Sequence, residues 1–202
     1  MMDLYVVNLI ERTDRWEKIK KRFPDFNIIR IDAIKHEDGI YGSFLSQRKC
    51  LQIAKDNNLP YICVLEDDCV PTNDFKERFG VIKEYLDTHH DWDIFLGGGT
   101  KILKKNLVKK IQYKTEKFGV LRKMACAHMI IYNKKVYDFF LNMKYHAPID
   151  RSWWYKFTAL VPSPFVATQD EGYSDIAKEK VCYINSIDMS NRALSYFIAS
   201  LP

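Results

Sequence analysis

Within the first hundred residues, short apolar runs alternate with stretches of helical periodicity, and that alternation limits the fold more than any other feature. "LYVVNL" (4–9) is β-rich and reads as a buried strand. "TDRWEKIKKRF" (13–23) then places Trp16, Ile19 and Phe23 on one helical face, and Asp14 followed by Glu17 resembles a capping box. "FNIIRID" (26–32) predicts a second strand, and 43–56 a second helix with Phe44, Leu45, Leu51 and Ala54 as its apolar stripe. "PYICVL" (60–65) predicts a third strand, 74–90 a third helix, and "WDIFLGGG" (92–99) a fourth strand closing in glycines. Strands that alternate with helices build a parallel sheet through right-handed crossovers, so the expected class is α/β with a mostly parallel, Rossmann-like sheet flanked by helices.

Beyond residue 100 the pattern loosens. The lysine-rich stretch 101–123 reads as a hairpin or a mobile loop, with its charges on a solvated face. "ACAHMIIY" (125–132) predicts a strand, 133–145 a helix, and 147–176 a helix followed by irregular structure. With 202 residues, 47% of them hydrophobic, the chain suits one domain, with a regular half (1–100) and a looser half (101–202). No apolar run approaches the ~20 residues that span a bilayer, and the N-terminus lacks the basic region of a signal peptide. Five cysteines without a CxxC pair predict reduced thiols and a cytoplasmic protein. A net charge of +5 is too small to indicate nucleic acid, though it is compatible with a phosphate-bearing ligand.

Parallel α/β sheets bind ligands outside the carboxyl ends of their strands. Those ends here carry Asn8 with Arg12 and Arg15, then Asp32 and Ala33, then Glu66-Asp67-Asp68, then Gly97-Gly98-Gly99. Glu66 and Asp68 lie two residues apart on a strand and project to the same side; Asp67 points away unless the chain has turned. Converging carboxylates repel unless a cation neutralises them, and oxygen ligands suit Mg²⁺ or Mn²⁺. The alternative is a solvated acidic turn before the helix at Asp74. The glycines indicate close approach of a ligand or of backbone. There is no GxGxxG and no GKS/T loop, which excludes nicotinamide dehydrogenases and P-loop enzymes. His128, inside an apolar strand, reads as a core histidine.

In order along the chain, these motifs resemble glycosyltransferase family 25. "VVNLIERTDRWEKI" resembles the family's "INL-x-x-R-x-DR" opening, and "IDAI" (31–34) its next strand end. "YGSFLSQRKCLQIAKDNNLPYICVLEDDCVP" resembles its "GC-x-x-SH … LVLEDDV" block, with Gly42 and Ser46 matching, Ser43 in place of Cys and Gln47 in place of His. "CAHMIIYNKKVYDFF" resembles the strand and helix that follow, "PID" (148–150) a "PVD" motif, and "VPSPFVATQDEGYSDI" the closing block that ends in SDI. The chain stops soon after that block, as one domain of a longer transferase would.

The resemblance implies a GT-A fold, a nucleotide-sugar donor of the UDP-sugar class, a glycan or glycoprotein acceptor, and inversion at the anomeric carbon. It makes Asp68 the main metal ligand and Glu66 a second or water-mediated one, the family's counterpart of a DxD motif, with Mn²⁺ or Mg²⁺ as cofactor. Val7, Asn8, Leu9, Arg12, Arg15, Asp32, Ala33, Ser46 and Asp67 would hold the nucleotide. Gly97, Gly98 and Gly99 would leave room for the sugar, and Gln169, Ser174 and Asp175 would line the site, with Asp175 or His128 as a further metal or phosphate contact. Asp150 is the candidate general base, or else a helix N-cap. Trp153 and Trp154 form either a sugar platform or core packing. A nucleotidyltransferase is the nearest rival enzyme, but it would carry a glycine-rich loop where "NLIERTDR" stands; a degenerate binding module is the non-enzymatic rival.

Overall fold

The structure, a computed structural model, describes residues 2–176 and 178–201. The expected alternation is present: β1 (Leu4–Asn8), α1 (Thr13–Arg22), β2 (Ile28–Asp32), α2 (Gly39–Asp56), β3 (Tyr61–Glu66), β4 (Cys69–Pro71), α3 (Phe75–Thr88) and β5 (Ile94–Leu96). β1 pairs in parallel with β2 and β3, in a register that sets Asn8 beside Asp32 and Val7 beside Glu66. α1 lacks the expected capping box: Arg12 occupies the N-cap without a side-chain cap, and Asp14 bonds the Arg12 guanidinium instead. α2 starts four residues before the predicted 43, because the Asp38 carboxylate accepts from the Ile40 and Tyr41 N–H groups. Gly42 is inside this helix, where a Cβ would stand 2.6 Å from the Ile34 carbonyl oxygen.

The second half supplies β6 (Leu107–Tyr113), β7 (Glu116–Leu121), β8 (Met129–Asn133), α4 (Tyr137–Asn142), α5 (Ile149–Ser152), β9 (Ala159–Pro162), β10 (Ala167–Gln169), β11 (Gly172–Ser174), β12 (Glu179–Val181) and α6 (Ile184–Ala199). The lysine-rich stretch is therefore a hairpin, β6–β7, turning at Lys114 with positive φ. The helix predicted over 133–145 is shorter, one 3-10 turn (Lys134–Val136) leading into α4. Residues 147–176 are not helix plus irregular chain: α5 has four residues, and β9 enters the central sheet. α6 lies past the last element that the sequence patterns predict.

The central sheet has the order β2-β1-β3-β8-β5-β9-β7-β6, with β8 and β7 running against the other strands. It is a mostly parallel α/β sheet in which both halves of the chain share strands, since β8 is inserted between β3 and β5. Alternation along β3 divides the core: Ile62 and Val64 face α2, α4 and α6, whereas Cys63 and Leu65 face α1 and α3. Separately, β10 pairs antiparallel with β4, and β11 with β12. The β4–β10 pair brings the segment after residue 167 back over the carboxyl ends of β1 and β3.

Candidate active site

β3 delivers its acidic triplet to a turn, Asp67-Asp68, before β4 begins. Because the chain has already turned at Asp67, all three carboxylates line one cavity of about 810 Å³. The Asp67 carboxylate accepts from Asn8 Nδ2 and from Arg15 Nη1, each at 2.7 Å. Asp68 accepts from Gln169 Nε2 at 2.8 Å, while its other oxygen, Oδ1, is buried without a partner. Burial and the neighbouring Asp68 charge push Glu66 well above the usual carboxylate range, and Asp150 and Asp67 add to it. Burial, partly offset by the Gln169 bond, raises Asp68 to about 6. Acids so close together hold protons at a pH where ordinary carboxylates have lost them.

Of the residues predicted to bind donor, Val7, Leu9, Arg12, Arg15, Ala33 and Ser46 line this cavity, as do Gln169, Ser174 and Asp175. Several have other partners. Arg12 pairs with Asp14 and Asp175, which with their hydrogen bonds raise its pKa despite partial burial. Arg15 bonds the Tyr173 carbonyl as well as Asp67. Ser46 Oγ donates to the Gly42 carbonyl and accepts from the Ile34 N–H, so its hydroxyl fixes the 33–37 loop.

Others are placed elsewhere. Asn8 is fully buried and holds Asp67 and the Arg12 carbonyl, so it shapes the site from behind. The Asp32 side chain is 60% exposed beside Arg30, outside the cavity wall. The glycines make room for the protein's own chain and not for a sugar: Cβ atoms on Gly98 and Gly99 would stand 2.2 Å from the Ala167 and 2.4 Å from the Ala125 carbonyl oxygens. Trp153 is 1% exposed in the core and has no free face for a sugar. His128 is likewise buried, with Nε2 against the Ala167 carbonyl; burial lowers its pKa to about 4, so it is a neutral core residue. Asp150 lies in the first turn of α5, whose N-cap is Pro148, so it is not the cap. Its Oδ2 accepts from the Cys126 N–H at 2.9 Å, and its charge reaches Glu66.

The wall also contains residues to which the sequence assigned no role, from two sources: the loop Ile34–Glu37 leading into α2, and the β11–β12 hairpin and its approach, with Asp170, Glu171, Tyr173 and Lys178. The hairpin is tied to α1 by Arg12–Asp175, by Arg15 to Tyr173, and by Lys18 and Arg22 to Asp170. The β4–β10 pairing carries the second of these segments to the site, and no periodicity announces it. Nine carboxylates line the cavity against five Lys and Arg side chains. A polyanion can enter such a cavity only with a cation. Among the described residues no three or more His, Cys, Asp or Glu side chains are grouped so as to hold a metal ion. Glu66 and Asp68 nevertheless fit a hard divalent ion: they offer oxygen donors, a buried unpartnered Oδ1 and mutual repulsion to relieve.

No curated protein matches the chain. Among solved structures, it is similar to A197 from STIV (13% identity, TM-score 0.41, covering 90% of this chain and 93% of that one). It is also similar to a glycosyltransferase involved in the glycosylation of the major capsid of PBCV-1 (9% identity, TM-score 0.47, covering 77% and 72%). A third is a putative glucose-1-phosphate thymidylyltransferase from Bacillus anthracis (10% identity, TM-score 0.40, covering 95% and 75%). The family described as glycosyltransferase family 25 (LPS biosynthesis protein) matches residues 38–149, a span that includes α2, the acidic triplet and the triple glycine and ends one residue before Asp150. Over more than half its length, therefore, the chain belongs to glycosyltransferase family 25.

Proposed function

We propose that this transferase moves a sugar from a UDP-sugar to a hydroxyl of a glycan or glycoprotein, with inversion and with the help of Mn²⁺ or Mg²⁺. One observation carries the reading: Glu66, Asp67 and Asp68 stand together on the floor of a net-acidic cavity, with one buried Asp68 oxygen unpartnered. Glu66 and Asp68 would hold the ion, which when bound neutralises charge on the departing diphosphate. Val7, Leu9 and Ala33 offer the apolar and backbone edge for the nucleoside. Arg15, fixed by Asp67, sits beside Asp68 at 3.9 Å, where it can share a phosphate oxygen.

Asp150 is the proposed base. Its Oδ2 is oriented by the Cys126 N–H, which leaves Oδ1 to take the proton of the acceptor hydroxyl as that oxygen attacks the anomeric carbon. The new C–O bond forms as the bond to the diphosphate breaks, and the electron pair leaves with UDP. Cys50, Cys63 and Cys69 are buried thiols without disulfides, which suits a reducing compartment, and we place the protein in the cytoplasm. No helix among the described residues is long and apolar enough to cross a membrane.

Calorimetric titration with UDP and with UDP- and GDP-sugars, in Mn²⁺ and then in EDTA, tests the donor site. Metal-dependent binding of UDP and one UDP-sugar is expected. If no nucleotide binds under either condition, the site does not serve transfer and a sugar-binding module takes its place.

A further inference from the structure

The turn after α5 carries a patch in which the cations lack carboxylate partners. Trp154 is anchored by its Nε1–H, which donates to the Met124 carbonyl at 2.7 Å. Lys123 Nζ lies 4.3 Å from the Trp154 ring centre and 6.0 Å from that of Tyr155, and the Arg151 guanidinium is 5.9 Å from Trp154. Tyr155 donates its N–H to the Arg122 carbonyl, and the residue is 64% exposed. A bridge between Thr100 and Ala125 sets Lys101 beside the same strand end. Among the described residues, none of Lys101, Arg122, Lys123 or Arg151 has an ion pair or side-chain hydrogen bond. Around the acidic cavity, by contrast, Arg12, Arg15, Lys18 and Arg22 all face carboxylates.

The patch also adjoins the proposed base. Arg151 follows Asp150 directly, and Lys123 is three residues from Cys126, whose N–H holds the Asp150 carboxylate. Cations gathered without counter-charges beside an exposed aromatic ring favour a ligand that brings both a sugar-like apolar face and negative charge. We propose that the acceptor is an acidic saccharide, with a phosphate or carboxylate close to the accepting hydroxyl, held by Lys123 and Arg151 against Tyr155. This rests on the transfer reading and on Asp150 as its base. It accounts for why the chain keeps an acidic cavity for the metal-bound donor and an uncompensated basic surface next to it: each of two anionic substrates meets its own counter-charge.

The test compares binding of trigalacturonate and mannose 6-phosphate with that of galactotriose and mannose, for the wild type and for Lys123→Gln/Arg151→Gln. Lys109→Gln/Lys110→Gln, on the β6 edge, removes the same charge elsewhere, and thermal unfolding reports whether each variant is folded. The wild type is expected to prefer each acidic ligand by about tenfold. That preference should vanish in about 1 M salt, where the Debye length is about 3 Å. Lys123→Gln/Arg151→Gln should lose it while retaining Mn²⁺-dependent UDP binding, and the β6 variant should keep it. Equal binding of acidic and neutral saccharides, or an undiminished preference in Lys123→Gln/Arg151→Gln, overturns the proposal. So does binding confined to phosphatidylglycerol vesicles, which would make the patch a membrane contact. The UDP titration reads the donor site independently: its failure with the acid preference intact overturns the transfer reading and leaves an acidic-sugar surface.

Discussion

Asp68 shows what the site costs the fold. Its carboxyl titrates at about 6, against ~3.9 in an unfolded chain. Between those values the folded protein holds the extra proton, so stability falls as pH rises through that window. Glu66, displaced the same way, deepens the effect. Asp68→Asn removes the penalty while keeping an oxygen for Gln169, and the side chain is only 17% exposed. The variant should gain on the order of 2 kcal/mol at pH 7 and almost nothing near pH 4, read by thermal unfolding at the two values. The same variant should lose Mn²⁺-dependent UDP binding; if UDP affinity in Mn²⁺ is unchanged, the metal ligands lie elsewhere. In the wild type, metal-dependent UDP binding should weaken as pH drops below about 6, because an ion must then displace protons. Asp150→Asn keeps the Cys126 contact through its amide oxygen but cannot accept a proton. It should bind UDP normally and turn over about 10²–10⁴-fold more slowly. A wild-type rate would exclude Asp150 as the base.

At the scale of elements, glycines separate what helical propensity decides from what packing decides. Gly80 sits on the exposed side of α3 with nothing within 4 Å of an added Cβ. Gly80→Ala should therefore stabilise by about 0.5–1 kcal/mol through unfolded-chain entropy. Gly98 follows β5, where the Gly97 carbonyl accepts from the Val166 and Ala167 N–H groups. A Cβ at Gly98 would strike the Ala167 carbonyl. Gly98→Ala should cost about 1–3 kcal/mol and, by displacing β10, move Gln169 away from Asp68. Denaturant midpoints compare the two, and equal effects would refute the close approach. The same elements show which patterns were legible. α1, α3 and β1 to β3 were readable because each shows its periodicity within its own residues. The extent of α5 was not, because the pattern from 147 onward predicts a helix but nothing within it marks a stop after four residues. The purpose of the glycine cluster was equally hidden: three glycines signal close approach, but whether to a ligand or to backbone depends on where β10 returns.

Over the whole molecule, α6 closes the face of the sheet opposite α1 and α3. Ile187, Leu194 and Ile198 enter the core shared with α2 and α4, and Gly119 on β7 leaves space for Leu194 Cδ1. Leu194→Ala should cost about 2–5 kcal/mol in unfolding free energy without changing UDP affinity, since Leu194 does not line the candidate cavity. An effect on UDP binding alone would mean that α6 supports the site and not the sheet. The sequence carried the α/β class, the acidic triplet and the membership that its ordered motifs announce, because these depend on neighbours along the chain and on alternation within single elements. The tertiary structure decided the rest. It withdrew Trp153 and His128 into the core, turned Asn8 from a ligand contact into the brace of Asp67, and raised Glu66 and Asp68 by packing them together. It also brought the β11–β12 hairpin over the acidic cavity and left Lys123 and Arg151 unpaired beside Asp150. Burial, charge coupling and the closeness of distant segments arise only when strands such as β4 and β10, about a hundred residues apart, have met.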